Sequence, residues 1–152
     1  MRVHIDTSVI GGCLDDEFRK WSLRLMKEFA AGGKTAVISD VTMRELARGP
    51  AAVRAVLDPI PESAFERVVL DDEARHLARA YLADKVVAPD DARDAQHIAV
   101  ATIARVDVLV SWNFKHIVNF RRIRLYNSVN LRQGYGIIDI RSPREVLDEK
   151  DL

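Results

Sequence analysis

The hydrophobic positions of this 152-residue chain fall into short apolar runs separated by longer amphipathic segments. Apolar runs begin near residues 2, 35, 66 and 107, and they have the length of buried strands. The segments between them repeat their apolar positions every three or four residues, which is typical of helices that cover a core. Strands that alternate with helices predict an α/β fold with a mainly parallel sheet and right-handed crossovers.

The segment from residue 89 to residue 113 predicts a helix that runs into a short buried strand. Either Asp90 or Asp91 suits the N-cap, because a carboxylate accepts from the free backbone N–H groups of the first turn. Asp94 lies beyond this cap on the same helical face as Ile98, so we expect its carboxylate at the edge of the core. A simpler interpretation is that Asp94 only favours the positive end of the helix dipole.

A second acid, Asp6, directly follows the predicted strand at residues 2–5, and Gly11-Gly12 predicts a turn after it. The carboxyl ends of strands are where open α/β sheets place their ligands. The local alternative is that Asp6 or Ser8 caps the next helix.

A third acid, Glu45, lies on a predicted helix that begins with Asp40 as its cap. Taken alone, Glu45 is explained as a solvated partner of Arg48 three residues later. In the predicted fold, however, Glu45 lies near the same sheet edge as Asp6 and Asp94. The conjunction of three acids at one edge favours a functional site.

The remaining segments complete the alternation of helices and strands. Further helices are predicted over residues 16–31, 51–58, 71–85 and 119–133, an edge strand over residues 65–70 and a last strand over residues 137–140. The helix at 119–133 is rich in arginine, and basic side chains near an acidic edge suit phosphate groups.

Composition limits the classes of partner. The chain has 23 basic and 23 acidic side chains, so no overall field draws it to nucleic acid or anionic lipid. With 48% hydrophobic residues, we expect one globular domain. The single Cys13 fits a reducing compartment, and the cytoplasm is the expected location. No uncharged run approaches the roughly 18 residues of a membrane span, so we expect no membrane association.

Four stretches resemble motifs of the PIN-domain family, specifically the VapC-like toxins of bacterial and archaeal toxin–antitoxin pairs. They are IDTSV at residues 5–9, VTMREL at 41–46, DAQHIA at 94–99 and LVSWN at 109–113. In this order and spacing, from residue 5 to residue 113, they span most of the chain. The resemblance implies that residues 1–152 form a single PIN-like nuclease domain with a three-layer α/β/α architecture around a mainly parallel sheet.

The resemblance also implies a ribonuclease that hydrolyses phosphodiesters with Mg²⁺ or Mn²⁺. Asp6, Glu45 and Asp94 are the catalytic, metal-binding carboxylates that it implies. Asn113 stands where many family members carry an acid; its amide oxygen can still bind metal, but it lowers the charge of the site. An RNA substrate, a cognate antitoxin and a homodimer are likewise implied.

Other polar residues near this edge are candidates for substrate binding. Ser8 is expected to hold a metal-bound water, while Arg44, Lys115 and His116 are expected to contact phosphate. His97 lies on another helical face and is interpreted as structural.

Three alternatives compete with a PIN-type nuclease. A haloacid-dehalogenase-like phosphatase needs a second Asp two positions after the first, where this chain has Ser8. A response-regulator receiver needs an acidic pair after its first strand, and Asp6 stands alone. A catalytically weak or inactive PIN-fold module that binds RNA or protein stays open, because Asn113 departs from the acidic pattern.

Overall fold

The computed structural model describes all 152 residues and contains one five-stranded sheet. The strands are β1 (Arg2–Ile5), β2 (Thr35–Ser39), β3 (Phe65–Val68), β4 (Val108–Val110) and β5 (Ile140–Arg141). They lie in the order β3-β2-β1-β4-β5, and every neighbouring pair is parallel. The predicted α/β fold with a mainly parallel sheet is confirmed, with β3 at one edge as expected.

Seven helices connect these strands. They are α1 (Thr7–Gly12), α2 (Arg19–Ala30), α3 (Asp40–Ala47), α4 (Ala51–Arg54), α5 (Asp72–Ala83), α6 (Ala92–Ile103) and α7 (Phe120–Arg132). Short 3-10 turns at 55–57, 62–64, 89–91, 143–146 and 149–151 complete the chain. None of the helices combines the length and the apolarity that crossing a bilayer requires.

Two hydrophobic clusters on opposite faces of the sheet define three layers. Val3 and Ile5 of β1 point to one face, where they pack with Leu25 and Phe29 of α2. Leu109 of β4 points to the other face and packs with side chains of α5, α6 and α7. Successive residues of a strand alternate between faces, so the apolar runs read from the sequence supply both layers of the core.

The predicted turn at Gly11-Gly12 is wrong, because both residues belong to α1. This helix is capped by Asp6, whose Oδ1 accepts from Val9 N at 3.2 Å. Gly12 has no room for a side chain: a Cβ there would lie 2.7 Å from Ser22 Oγ and 2.9 Å from the Trp112 ring. Gly12 therefore allows α1 to pack closely against Ser22 and Trp112.

Of two further predicted helix caps, Asp40 is wrong, and Asp91 is correct in position only. Ser39, rather than Asp40, caps α3 by accepting from Thr42 N, and Asp40 Oδ1 instead accepts from Leu70 N at 2.8 Å. Asp91 stands at the N-terminal end of α6, but its side chain makes no capping bond. In both cases a tertiary contact takes the carboxylate that local sequence assigned to the helix end.

The last strand is shorter than predicted and begins later, at Ile140. The side chain of Asn127 on α7 binds both backbone groups of Ile138: its Oδ1 accepts from the N–H at 2.8 Å and its Nδ2 donates to the carbonyl at 3.1 Å. A residue whose two backbone groups are bound in this way cannot join the ladder. The pairing of β5 with β4 therefore starts beyond Ile138, at Ile140.

The order of the strands in the sheet reverses at β1. From β1 the chain proceeds through β2 to β3 on one side, whereas β4 and β5 lie on the other. A reversal of this kind leaves a crevice outside the carboxyl ends of the two central strands. Ile5 and Val110 lie side by side at these ends, so the residues after them face the same crevice.

Candidate active site

The carboxylate of Asp6 lies in this crevice and is 4% exposed. Its Oδ1 accepts from Ser8 Oγ at 2.6 Å as well as from Val9 N, and its Oδ2 accepts from Ser111 Oγ at 2.5 Å. Hydrogen bonds from α1 and from the residue that follows β4 thus fix the orientation of both carboxylate oxygens. Asp6 therefore caps α1, as the local alternative predicted, and its carboxylate also lies in the crevice.

Ser111 and Trp112 tie the end of β4 to this carboxylate. Ser111 is fully buried, and the backbone N–H of Trp112 donates to Ser8 Oγ at 2.9 Å. The indole N–H of Trp112 donates to Ser22 Oγ at 2.8 Å on α2. These bonds hold the two strand ends in one arrangement, so Asp6 lies in a preformed site.

Glu45 reaches the same crevice from α3. Thr7 Oγ1 donates to its Oε2 at 2.6 Å, and His97 Nε2 lies 3.2 Å from its Oε1. Burial raises the pKa of Glu45, but the hydrogen bonds from His97 and Thr7, with the charges of His97 and Arg93, outweigh it and lower the pKa. Glu45 is therefore held as a carboxylate.

The charges of all three predicted acids act on His97. Burial of its ring on α6 lowers the pKa of His97, but the hydrogen bond to Glu45 and the charges of Asp6, Glu45 and Asp94 outweigh burial and raise the pKa above its ordinary value. Acids from three separate elements thus act on one buried ring. His97, interpreted from the sequence as structural, touches one of them directly.

Asp94 lies in the first turn of α6, and its side chain is 19% exposed. Its Oδ2 is 3.0 Å from His116 Nδ1, and the other ring nitrogen of His116 is 3.5 Å from Asp91 Oδ2. Burial raises the pKa of Asp94, and the charge of Asp91 adds to this effect against the opposing influence of His116 and His97. A positive ion beside Asp94 would relieve this cost.

The other predicted site residues lie around this centre. Asn113 Oδ1 accepts from the backbone N–H groups of Lys115 at 3.2 Å and His116 at 2.9 Å, so the amide caps its own loop. Lys115 is exposed, and Arg44 points out from α3 with a 3.4 Å contact to Asp40. Metal binding by Asn113 and substrate binding by Ser8, Arg44, Lys115 and His116 stay predictions.

No protein-family model matches the sequence, and no curated protein matches it. Among solved structures, the chain is similar to the crystal structure of VapBC2 from Rickettsia felis bound to a DNA fragment from their promoter. The TM-score is 0.60 at 16% sequence identity, over 93% of this chain and 98% of that chain. The fold is PIN-like. At this identity the likeness concerns the fold alone, and the site must be argued from its own residues.

The donor atoms of this PIN-like fold suit a hard divalent cation. Mg²⁺ and Mn²⁺ prefer oxygen ligands, and each carboxylate oxygen offers more than one lone pair. Asp91, Asp94 and His116 place one donor atom each within 4.8 Å of the others. The second oxygen of Asp94 has no hydrogen-bond partner within the protein. The residues present therefore fit a metal ion beside Asp94.

The sequence did not single out three of the residues that complete the arrangement. Thr7 and Ser111 fix the carboxylates of Glu45 and Asp6, and Asp91 joins Asp94 at His116 instead of capping α6. A usable signal existed for Ser111, because it follows a buried strand as Asp6 does. No local signal pairs Thr7 with Glu45, since the contact depends on how α3 packs against α1.

Proposed function

We propose that this protein is a metal-dependent endoribonuclease that hydrolyses phosphodiester bonds, acting as the toxin of a toxin–antitoxin pair. The observations that support this proposal are that Asp6 lies at the carboxyl end of β1 in a PIN-like fold, that Thr7 and His97 hold Glu45, and that Asp94 lies at His116. Acids held together at this position are costly unless a cation is bound. In this proposal residues 1–152 form the single nuclease domain.

Asp94, beside Asp91 and His116, would hold the ion together with the predicted ligands Asp6 and Glu45, with Mg²⁺ or Mn²⁺ as the candidates. When bound, such an ion supplies Lewis acidity towards a phosphodiester. Ser8 and Ser111 hold both oxygens of Asp6, and Thr7 and His97 hold both oxygens of Glu45. These contacts fix the carboxylates before substrate arrives, which reduces the reorganisation that a reaction requires.

The likeness to VapBC2, whose crystal structure contains a DNA fragment from the promoter, supports the proposed antitoxin partner, whereas the RNA substrate and the homodimer rest on the sequence resemblance. By analogy, we place a cognate antitoxin, a homodimer and an RNA substrate in this proposal, with the cytoplasm as the location. Fold likeness and sequence resemblance are associational arguments for these partners. The metal-dependent chemistry rests on the site itself.

A second candidate function is a PIN-fold module that binds RNA or protein without turnover. The observation that favours it is the Asn113 side chain, which brings an amide where many family members have an acid and whose oxygen is used by the Lys115 and His116 backbone. A site with fewer charges binds a second divalent ion less well.

Cleavage of structured RNA by the purified protein distinguishes the two candidates. We expect cleavage with Mg²⁺ or Mn²⁺, none with a chelator, and none by Asp6→Asn under either condition. Cleavage sites are then mapped in cellular RNA after brief expression, with Asp6→Asn as the control. Metal-dependent binding of RNA without cleavage would support the second candidate, and cleavage that survives the chelator would contradict the first.

A further inference from the structure

A polar cleft of about 290 Å³ lies beside the candidate active site, between α3, α5 and α6. Four arginines line it: Arg44 from α3, Arg48 immediately after α3, Arg75 from α5 and Arg93 from α6. We call this surface the arginine cleft. Glu45 and Gln96 lie in the same lining, so the cleft opens directly onto one of the candidate metal ligands.

The arginines of the cleft are poorly neutralised by the protein itself. Arg44 and Arg75 reach Asp40 and Asp72 only at 3.4 Å, through side chains that are more than 40% exposed. Arg48 and Arg93 form no ion pair. Exposed pairs of this length contribute little, so the positive charge stays available to a ligand.

Some arginines elsewhere in the chain are more closely paired, whereas Arg121 and Arg124 on α7 also form no ion pair. Arg2, Arg67 and Arg141 each have a carboxylate oxygen at 2.7 to 2.9 Å. Since the chain has equal numbers of basic and acidic side chains, the collection of weakly paired arginines in one cleft is a local departure from balance. It produces a positive patch next to the acidic site.

We propose that the arginine cleft binds the phosphates of a single RNA strand next to the bond that is cleaved. The inference rests on the proposed nuclease function. It adds the path of the substrate, which runs from Asp6 and Asp94 past Glu45 and then between α3 and α5. Arginine suits this task because its guanidinium binds phosphate oxygens in a bidentate manner. Gln96 adds a neutral amide that can reach a 2′-hydroxyl or a base edge.

The dimensions of the cleft favour a single strand over a duplex. Double-stranded RNA is recognised across wide, shallow grooves by contacts spread over a surface. A cleft of about 290 Å³ between three helices is at the small end of ligand sites and suits one extended strand. Arg93 immediately precedes Asp94 in the chain, and its charge acts on Glu45, so the first phosphate site adjoins the carboxylates.

The test measures binding of a short fluorescein-labelled 2′-O-methyl oligoribonucleotide by fluorescence anisotropy over a series of NaCl concentrations. The variant is Arg48→Gln/Arg93→Gln. The matched control is Arg121→Gln/Arg124→Gln, which removes the same charge from exposed positions on α7, the other arginine-rich helix. Thermal melts establish that each protein is folded, and single Arg93→Gln replaces the double variant if that one unfolds.

We expect the cleft variant to bind at least about tenfold more weakly at low salt. Its plot of log affinity against log salt should lose about 0.7 in slope for each phosphate contact removed, whereas the α7 variant should resemble the wild type. Equal weakening by both variants would show that only overall charge matters. That result, or greater weakening by the α7 variant, would overturn the inference.

A polyglutamate competitor separates RNA from an acidic protein segment as the occupant. Displacement of the oligonucleotide by polyglutamate at equal charge concentration would overturn the RNA assignment, and persistence of the complex supports it. RNA cleavage is scored separately. If the wild type cleaves RNA but the cleft variant binds the oligonucleotide as well as the wild type does, only the cleft proposal is rejected. If the cleft binds the oligonucleotide but the wild type does not cleave RNA, only the nuclease proposal is rejected.

Discussion

The two sides of the candidate site are built differently. On the strand side, Asp6 is buried at the ends of β1 and β4, and serine hydroxyls bind both of its oxygens. On the helix side, Asp94 is half-buried at the start of α6, shares His116 with Asp91 and keeps one oxygen without a protein partner. On the strand side both carboxylate oxygens have hydrogen-bond partners within the protein, whereas on the helix side one carboxylate oxygen has none.

This difference separates two requirements of a metal site. Fixed geometry comes from the strand side, because parallel strand ends have a register that packing of both faces enforces. Unbalanced negative charge comes from the helix side, where burial and Asp91 raise the pKa of Asp94. We expect loss of the serine hydroxyls on the strand side to lower stability, and loss of the Asp94 charge on the helix side to reduce metal binding and activity without lowering stability.

The largest expected effect is on activity, from Asp94→Asn. Loss of the charge that holds the ion should reduce cleavage by about 10³-fold or more, since a bound metal contributes several kcal/mol to transition-state stabilisation. The melting temperature without metal should not fall, because the carboxylate that is replaced is an unfavourable one. Cleavage assays and thermal melts check both, with exposed Asp90→Asn as the control. Wild-type cleavage by Asp94→Asn would remove this residue from the site.

The second effect is stabilisation by the ion itself. Mn²⁺ at a hundred times its dissociation constant should stabilise the wild type by about 2.7 kcal/mol, a rise on the order of 5–10 °C in melting temperature. Asp94→Asn should lose most of this rise, and Asp6→Asn should also show a smaller one, while Asp90→Asn should keep it. The measurement is differential scanning calorimetry with and without metal.

An equal rise in wild type and Asp94→Asn would place the ion elsewhere. Glu28, Asp148 and Asp151 form the other group of neighbouring donors in the chain. In that case the negative charge on the helix side, at Asp94 and Asp91, would not serve to bind the ion.

The third prediction concerns the strand side. Ser111→Ala removes the buried donor to Asp6 Oδ2 and the partly buried acceptor for Asn113 N. It should lower the free energy of unfolding by about 1–3 kcal/mol, the cost of leaving a buried polar group unsatisfied. Urea denaturation measures this, and Ser128→Ala at an exposed position of α7 is the matched control. A loss no larger than that of Ser128→Ala would mean that the strand side is less rigid than its hydrogen bonds indicate.

A fourth prediction uses His4, which lies fully buried in β1 beneath the strand side and has no partner for either ring nitrogen. Burial, with a contribution from His97, lowers the pKa of His4 to about 3 from its ordinary value of 6.5. Between these values the unfolded chain binds a proton that the folded protein excludes. Stability should therefore fall as pH falls below 6.5, by up to about 1.4 kcal/mol per pH unit from this residue.

The apolar variant His4→Leu isolates that contribution. Its stability, measured by urea denaturation from pH 7 to pH 5, should decline less steeply than that of the wild type, because only the wild type gains a proton at this position on unfolding. Parallel curves for the two proteins would show that His4 is not excluded from protonation in the fold.

The smallest expected effect is that of Asn113→Asp. Asn113 Oδ1 caps the loop through the N–H groups of Lys115 and His116, and an aspartate oxygen accepts the same two bonds. The change in stability without metal should stay within a few tenths of a kcal/mol, as is common for substitutions that preserve local contacts. Calorimetric Mn²⁺ titration gives the sharper result: a clearly tighter affinity would assign residue 113 to the metal site after all.

The sequence by itself determined the class of fold and predicted where a candidate site would lie. Alternation of apolar runs with amphipathic segments is sufficient to predict an α/β sheet, because buried parallel strands and covering helices have different periods. It also indicated which acids follow strands or begin helices. The extent of the strands and helices was less well determined, as α1 and β5 show.

Only the tertiary structure decided which group each polar side chain contacts. Thr7 with Glu45, Ser111 with Asp6 and the arginines of three helices in one cleft are contacts between residues distant in the chain. Local rules assigned Asp40 and Asp91 to helix caps, yet Asp40 binds the Leu70 N–H and Asp91 lies at His116. A carboxylate accepts from whichever donor the packing of the core brings near, and that packing is set by apolar residues elsewhere in the chain.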